Sequence, residues 1–195
     1  MKFLSFNYKG LANPGKKSSF KRLVDSTRLD IILLQETLGT WDCIKLALEA
    51  LCPSWSFEAL AARGRSGGLT IGWRCRVCRA VHVWGFDSGM GLYFFSEVMG
   101  QSYTILNIYG PYHNRDPFWE SLLNKSFLKG KEVILGGDLN LYFGATEVWG
   151  PRAIPDPLGD FFIRSFVRSG LVDIAPQNLM TTWRNKRAGE HRVVK

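Results

Sequence analysis

Three apolar segments of the chain end in polar side chains of the types that bind metal ions. The side chains that follow these segments are Asn7, Glu36 and Asp138, and Asn140 lies two positions beyond the last of them. In α/β proteins the carboxyl ends of neighbouring strands share one crevice, where ligands usually bind. Carboxylates and amide oxygens are hard ligands that suit Mg²⁺ or Mn²⁺ rather than zinc. The pattern therefore favours a site for a hard divalent cation.

Each of these positions also has an ordinary structural interpretation. A single glutamate at a strand end is commonly a solvated loop residue, and an asparagine after a strand is commonly a turn residue. The segment Gly136-Gly137-Asp138-Leu139-Asn140 is equally compatible with a turn. The hypothesis of a cation site depends on the same pattern recurring in three separate segments.

The elements that must position these groups follow from the spacing of apolar residues. Strands are predicted over residues 3–8, 30–36, 69–73, 77–84, 92–98, 103–109 and 131–138, with short extended segments at 171–174 and 181–183. Helices are predicted over residues 19–27 with Ser18 or Ser19 as N-cap, over 41–51, from Asp116 onward with Asp116 as cap, and over 160–169. This order predicts an α/β sandwich of mixed sheets flanked by helices.

Composition limits the class of protein and of partner. The 195 residues predict one domain over residues 1–195. The net charge of +8, from 25 basic and 17 acidic residues, suits a polyanionic partner such as nucleic acid. Apolar runs such as residues 31–34 are far shorter than the roughly 18 to 20 residues of a membrane span, so no membrane partner is expected. Four cysteines, interpreted as reduced, favour an intracellular protein.

Seven short segments extend this picture over nearly the whole chain. They are Met1-Lys2-Phe3-Leu4-Ser5-Phe6-Asn7-Tyr8-Lys9-Gly10-Leu11, Asp30-Ile31-Ile32-Leu33-Leu34-Gln35-Glu36-Thr37, Ser66-Gly67-Gly68-Leu69, Ile108-Tyr109-Gly110-Pro111, Gly136-Gly137-Asp138-Leu139-Asn140, Ser169-Gly170-Leu171-Val172-Asp173 and Thr181-Thr182-Trp183-Arg184-Asn185. In their residues and order the chain resembles the endonuclease/exonuclease/phosphatase superfamily. Within it, the chain most resembles the endonuclease domain of plant-type LINE (non-LTR) retrotransposons.

The resemblance implies a fold, a cofactor and roles for particular residues. The fold is a deoxyribonuclease-like four-layer α/β sandwich, and the activity is a Mg²⁺-dependent phosphodiesterase that nicks DNA, with Mn²⁺ as an alternative ion. By the resemblance Glu36 is the principal metal ligand, and Asn7 supports the metal or a phosphate oxygen. Asp138 orients and deprotonates the attacking water, Asn140 holds the scissile phosphate, and Tyr109 contacts the phosphate or the departing oxygen.

The chain departs from the family pattern at its last residues. The family continues into an Arg-Leu-Asp-Arg-like strand and a Ser-Asp-His motif, whereas this sequence stops at Arg192-Val193-Val194-Lys195. The expectation is a domain without its last strands and with weak or no nuclease activity. Two alternatives remain open: a catalytically dead remnant that binds nucleic acid, and a phosphatase acting on small phosphoesters.

The partners expected from these observations are DNA and, in the ancestral element, a reverse transcriptase fused to the endonuclease. The residues predicted to contact DNA phosphates are Lys16, Lys17, Arg63, Arg65, Arg184 and Lys186, with a merely solvated face as the alternative. The protein is expected to be a monomer and, if functional, to act in the nucleus.

Overall fold

The computed structural model of the chain describes residues 1–11, 14–61, 67–86, 88–125, 128, 132–144, 147–151, 154–174, 184–185, 189 and 193–194. The chain falls into two compact units. The first contains Met1–Pro111 and Gly130–Leu139, and the second contains Tyr112–Lys129 and Asn140–Lys195. That residues 1–195 act as a single domain stays a prediction.

The first unit is built on two four-stranded sheets. Its elements are β1 (Phe3–Asn7), α1 (Pro14–Thr27), β2 (Ile31–Gln35), α2 (Trp41–Leu51), β3 (Trp55–Leu60), β4 (Leu69–Arg74), β5 (Cys78–Phe86), β6 (Gly89–Ser96), β7 (Gln101–Tyr109) and β8 (Val133–Asp138). The strand orders are β1-β2-β4-β3 in sheet 1 and β5-β6-β7-β8 in sheet 2. Each sheet is mixed, because β1–β2 and β7–β8 pair in parallel while the other neighbours are antiparallel. The predicted α/β fold with two mixed sheets flanked by helices is confirmed.

Strand β2, in the interior of sheet 1, is buried on both faces. Successive side chains of a strand point to opposite faces, and all five residues of β2 are buried. Leu33 belongs to the apolar cluster between the two sheets, which also contains Leu92 of β6. Leu34 belongs to a second cluster, which contains Phe20 of α1 and Leu48 of α2. The continuous apolar run of β2 is explained by these two cores, and it fixes the strand whose end carries Glu36.

The second unit contains the helices α3 (Arg115–Leu123) and α4 (Gly159–Arg168). Trp119 of α3 is fully buried, and its ring contacts Phe162 at 5.9 Å and Phe166 at 5.5 Å between centroids. Gly170 follows α4 with a left-handed φ of +71°, which is typical of a glycine that ends a helix. None of the described helices has both the length and the apolar character needed to cross a membrane.

Two predicted helix starts are wrong. Helix α1 begins at Pro14 rather than beyond a cap at Ser18 or Ser19. Proline suits the first position of a helix, because its fixed φ is helical and its missing N–H has no partner there. Helix α3 has Asn114 as its N-cap, with no side-chain capping bond, and Asp116 lies inside its first turn.

The strands predicted at residues 69–73 and 77–84 correspond to β4 and β5. β3 is absent from the predictions, although its first four residues alternate between buried and half-buried positions. β8 is half-buried along its whole length, although its apolar run is typical of a buried strand. The extended segment predicted at residues 181–183 lies outside the described residues.

An ion pair within the second unit makes its stability depend on pH. Arg115 donates from Nη1 to Oδ1 of the buried Asp156 at 3.0 Å and from Nη2 to Oδ2. Burial alone would raise the pKa of Asp156, but hydrogen bonds from Arg115 and from the Leu158 N–H outweigh it and hold the pKa below its usual value. The carboxylate therefore stabilises the fold above the usual pKa, and this contribution is lost as pH falls through the lowered pKa.

We expect Asp156→Asn to lower the free energy of unfolding by about 2 kcal/mol at pH 7, because Arg115 keeps its charge while losing its partner. The difference from wild type should shrink below about pH 4. Urea unfolding from pH 7 to pH 3 measures it, with Asp25→Asn, which removes an exposed pair with Lys21, as the control. A difference that stays constant over this range would contradict the prediction.

Candidate active site

Four polar side chains of the first unit meet where strands of both sheets end. Asn7 is the last residue of β1 and Asp138 the last of β8, while Glu36 follows β2 directly and Tyr109 ends β7. The parallel registers pair Asn7 with Gln35 and Tyr109 with Asp138. Because both parallel pairs stop at the same level, their terminal side chains come together. The structure therefore assembles four of the predicted site residues in one place.

A single amide joins the two carboxylates. Nδ2 of Asn7 donates to Oε1 of Glu36 at 2.7 Å and to Oδ2 of Asp138 at 2.8 Å. Tyr109 donates its hydroxyl to the same Glu36 oxygen at 3.0 Å. Ionised carboxylates only accept hydrogen bonds, so the amide nitrogen of Asn7 must face them and its oxygen must point elsewhere. Sheets 1 and 2 are thereby connected through their candidate catalytic groups.

The backbone around Glu36 is held in an uncommon conformation. Glu36 has a left-handed φ of +53°, which is rare for residues other than glycine and costs of order 1 to 3 kcal/mol. Its carbonyl accepts from the Gly10 N–H at 2.7 Å, and the Thr37 carbonyl accepts from the Leu11 N–H at 3.1 Å. The Thr37 N–H donates to the Gly68 carbonyl at 3.2 Å. These bonds to Glu36 and to the residue after it hold the backbone that directs the Glu36 side chain toward Asn7 and Tyr109.

The donor set fits a hard divalent cation. Oδ1 of Asn7 is buried without a hydrogen-bond partner in the part of the chain that the structure describes. Leaving a buried oxygen without a hydrogen bond costs free energy unless a ligand binds it. The nitrogen of the same amide already contacts the carboxylates of Glu36 and Asp138. Among the described residues no cluster of three or more His, Cys, Asp or Glu side chains forms a metal site. Mg²⁺ needs no such cluster, since one or two carboxylates, water and substrate phosphate commonly complete its shell.

The remaining predicted catalytic residue, Asn140, belongs to the second unit. It follows β8 closely and has a left-handed φ of +50°. Asparagine is among the residues that tolerate this conformation best. Its predicted contact with the scissile phosphate stays a prediction.

The predicted DNA contacts are only partly described. Nζ of Lys16 donates to the carbonyl of Tyr8 at 3.2 Å and to that of Lys9, so this ammonium already stabilises the segment after β1. Lys17 is half-buried, and Arg184, in the second unit, is exposed. The other three predicted contacts, Arg63, Arg65 and Lys186, lie outside the described residues.

Sequence reasoning overlooked a pair of buried amides below the site. Gln35 and Asn107 are both buried, and Nε2 of Gln35 donates to Oδ1 of Asn107 at 2.7 Å. The sequence pattern treats Asn107 simply as part of a strand. The sequence feature that points to Asn107 is an amide within an otherwise apolar run, because a buried polar side chain needs a hydrogen-bond partner.

The fold is similar to solved structures of low sequence identity. An AP endonuclease from Archaeoglobus fulgidus matches with a TM-score of 0.70 and 14% identity, over 98% of this chain and 84% of that one. A 3′ phosphatase from Neisseria, solved with a product DNA hairpin, matches with a TM-score of 0.72, 14% identity and the same coverage. These likenesses show a shared fold.

Other matches are more partial. A mannosyl-6-phosphatase from Bacteroides thetaiotaomicron VPI-5482 matches with a TM-score of 0.53 and 14% identity over 71% of this chain. The chain spans 64% of that protein, which is less than two thirds of its length. No curated protein matches the chain significantly.

The sequence itself matches a family over nearly its whole length. The match covers residues 4–188 and is to the endonuclease/exonuclease/phosphatase family. It includes Asn7, Glu36, Tyr109 and Asp138, the four side chains that the fold brings together. This chain therefore belongs to the endonuclease/exonuclease/phosphatase family.

Proposed function

We propose that the protein is a metal-dependent phosphoester hydrolase whose substrate is DNA. The observation that carries the proposal is the Asn7 amide, which lies 2.7 Å from a carboxylate of Glu36 and 2.8 Å from one of Asp138 and leaves a buried oxygen without a partner. The carboxylates of Glu36 and Asp138, which this amide nitrogen brings together, suit a hard cation. Members of the family are typically metal-dependent phosphoesterases, which agrees with this donor set.

Each side chain of the centre has a distinct task in this proposal. A bound Mg²⁺ or Mn²⁺ supplies charge neutralisation and polarisation of the phosphoester. Glu36 would hold the ion, and Asn7 would support it by fixing the two carboxylates that its nitrogen contacts. The Tyr109 hydroxyl fixes the Glu36 carboxylate that it contacts. Asp138 orients a water molecule and accepts its proton, a step that contributes roughly 10² to 10⁴ in rate.

DNA as the substrate is supported by charge and by similar proteins. The net charge of +8 favours a polyanion. Two structures that match 98% of the chain belong to an AP endonuclease and to a 3′ phosphatase solved with a DNA hairpin. The order of the motifs also resembles LINE endonucleases, so the proposal extends to a DNA-nicking enzyme of retrotransposon type that acts in the nucleus as a monomer. An ancestral fusion to a reverse transcriptase stays a prediction.

A second candidate is a phosphatase that acts on small phosphoesters. The similarity to a mannosyl-6-phosphatase favours it. The four assembled side chains also recognise only a phosphate and a cation, which any phosphoester can offer. Parallel assays on plasmid DNA and on p-nitrophenyl phosphate distinguish the two candidates.

We expect the purified protein to convert supercoiled plasmid to open circles with Mg²⁺ or Mn²⁺, and EDTA to abolish the conversion. The protein is used in excess over plasmid, so that a single nick per plasmid molecule is detected. Asp138→Asn, prepared in the same way, controls for contaminating nucleases and should be inactive. Hydrolysis of the small ester alone would favour the phosphatase. Activity on neither substrate would contradict a catalytic function and favour a nucleic-acid-binding remnant.

A further inference from the structure

An asparagine crosses the interior between the two sheets directly below the candidate active site. Asn107 of β7 is fully buried, and its Nδ2 donates to the carbonyls of Leu34 and Thr70, both at 2.9 Å. Leu34 lies in β2 and Thr70 in β4, which are neighbours in sheet 1. One side chain of sheet 2 is thus bound to the backbone of two strands of sheet 1.

The orientation of the Asn107 amide determines the orientation of the Gln35 amide. Carbonyl oxygens only accept, so Nδ2 of Asn107 must face Leu34 and Thr70, and its Oδ1 must face Gln35. Gln35 in turn has to present Nε2, which donates to Asn107 at 2.7 Å and to Oγ of Ser5 at 3.3 Å. Oε1 of Gln35 is left buried without a partner among the described residues. These hydrogen bonds therefore form at the free-energy cost of one buried oxygen without a partner.

These two amides lie one or two residues from the catalytic groups. Gln35 immediately precedes Glu36 in the chain, and Asn107 lies two residues before Tyr109, on the same face of β7. Asn107 also pairs with Gly136 of β8, two residues before Asp138. A shift of one sheet along the other would therefore move Glu36 relative to Tyr109 and Asp138.

Apolar packing alone does not prevent such a shift. The hydrophobic effect is non-directional, so side chains such as Leu33 and Leu92 between the sheets tolerate small displacements. Hydrogen bonds weaken steeply with distance and angle, so the buried bonds of Asn107 favour one arrangement of the two sheets. Three such bonds between Asn107 and sheet 1 fix its position relative to sheet 2 at the level of the site.

We propose that Gln35 and Asn107 are positioning residues that hold the two sheets at the separation and register at which the Asn7 amide reaches both carboxylates. Their importance for catalysis rests on the function proposed above. Their effect on the hydrogen bonds from Asn7 to Glu36 and Asp138 does not depend on that function, because these bonds belong to the fold.

The experiment compares Asn107→Leu and Gln35→Met with Thr104→Val. Leucine and methionine keep approximate volume and remove the hydrogen bonds. Thr104 is buried on the opposite face of the same strand, and its hydroxyl has no partner among the described residues, so valine there removes no hydrogen bond seen in the structure. The first readout is hydrogen exchange of the Asn7 side-chain amide, followed by NMR and assigned by its loss in Asn7→Ala. The second is the affinity for Mn²⁺ alone.

We expect Asn107→Leu to speed exchange of the Asn7 amide at least tenfold and to weaken Mn²⁺ binding at least tenfold, with Thr104→Val unchanged. Gln35→Met should lie between them, because Asn107 keeps its two bonds to backbone carbonyls. On plasmid DNA, kcat should fall about a hundredfold in Asn107→Leu while KM changes little, since a displacement of about 1 Å has effects of this size.

A folded Asn107→Leu variant with the exchange rate and Mn²⁺ affinity of wild type would overturn the proposal. If Asn107→Leu does not fold, the same comparison between Gln35→Met and wild type decides. A wild-type protein that cleaves nothing would refute the proposed function and leave the amide-exchange comparison intact. The two proposals can therefore fail separately.

Discussion

Replacing Glu36 by glutamine is expected to lower metal-dependent DNA cleavage by about a thousandfold and to remove most of the affinity for Mg²⁺ or Mn²⁺. Glutamine keeps an oxygen that can accept from Asn7 and Tyr109, so the contacts at 2.7 and 3.0 Å have a replacement. It removes the negative charge that a hard cation requires. Losing a bound cation costs several kcal/mol of transition-state stabilisation, and about 1.4 kcal/mol corresponds to a factor of ten.

The matched control is Glu58→Gln on β3, at the other edge of sheet 1. Glu58 pairs with Lys45 at 2.7 Å, and both side chains are partly exposed. A surface ion pair of this kind contributes at most about 1 kcal/mol, so cleavage and metal affinity should match wild type. Calorimetry with each cation and single-turnover nicking provide the measurements. A Glu36→Gln protein with wild-type affinity would exclude Glu36 as a metal ligand.

Local patterns predict every strand of the first unit except β3, and they misplace the start of α1. β2 is predictable because it is buried on both faces, which requires a continuous apolar run. β3 is an edge strand that follows α2 after three residues, and its polar positions at Ser56 and Glu58 dilute its apolar signal. The start of α1 depends on one proline, whose place in a loop or in a first helical turn is decided by tertiary packing.

Local sequence patterns predict which residues form the candidate site, but they do not predict which of these residues contact one another. The sequence identifies Asn7, Glu36 and Asp138 because polar residues at strand ends contrast with the apolar runs before them. The bonds that Asn7 makes to the two carboxylates span 29 and 131 positions along the chain. They depend on two parallel registers and on the spacing between sheets, and no periodicity along one strand encodes these. The amide of Asn107 was overlooked for the same reason, since its partners lie in β2 and β4.

Gly137 shows how the close approach of two strands limits which residue can stand before Asp138, a candidate catalytic carboxylate. The segment Gly136-Gly137-Asp138 is compatible with a turn, yet Gly137 lies inside β8, opposite Ile108 of β7. Its φ of +140° is one that L side chains rarely adopt. A Cβ atom at this position would lie 1.9 Å from the Ile108 carbonyl oxygen and 2.7 Å from the Ile108 nitrogen. Both are backbone atoms, which cannot move aside as a flexible side chain would.

We expect Gly137→Ala to lower the free energy of unfolding by about 4 kcal/mol, from a strained φ and from overpacking at one to three kcal/mol each. This is a large part of the roughly 5 to 15 kcal/mol that stabilises a domain. Gly100→Ala is the control for a positive φ without a close neighbour, because Gly100 has a φ of +67° and nothing within 4 Å of a Cβ atom. Its expected cost is about 1 kcal/mol. Urea unfolding measures both variants, and equal losses would show that the approach of Ile108 is unimportant. A larger loss in Gly137→Ala would mean that the close pairing of β7 and β8, which places Asp138 beside Tyr109, requires glycine.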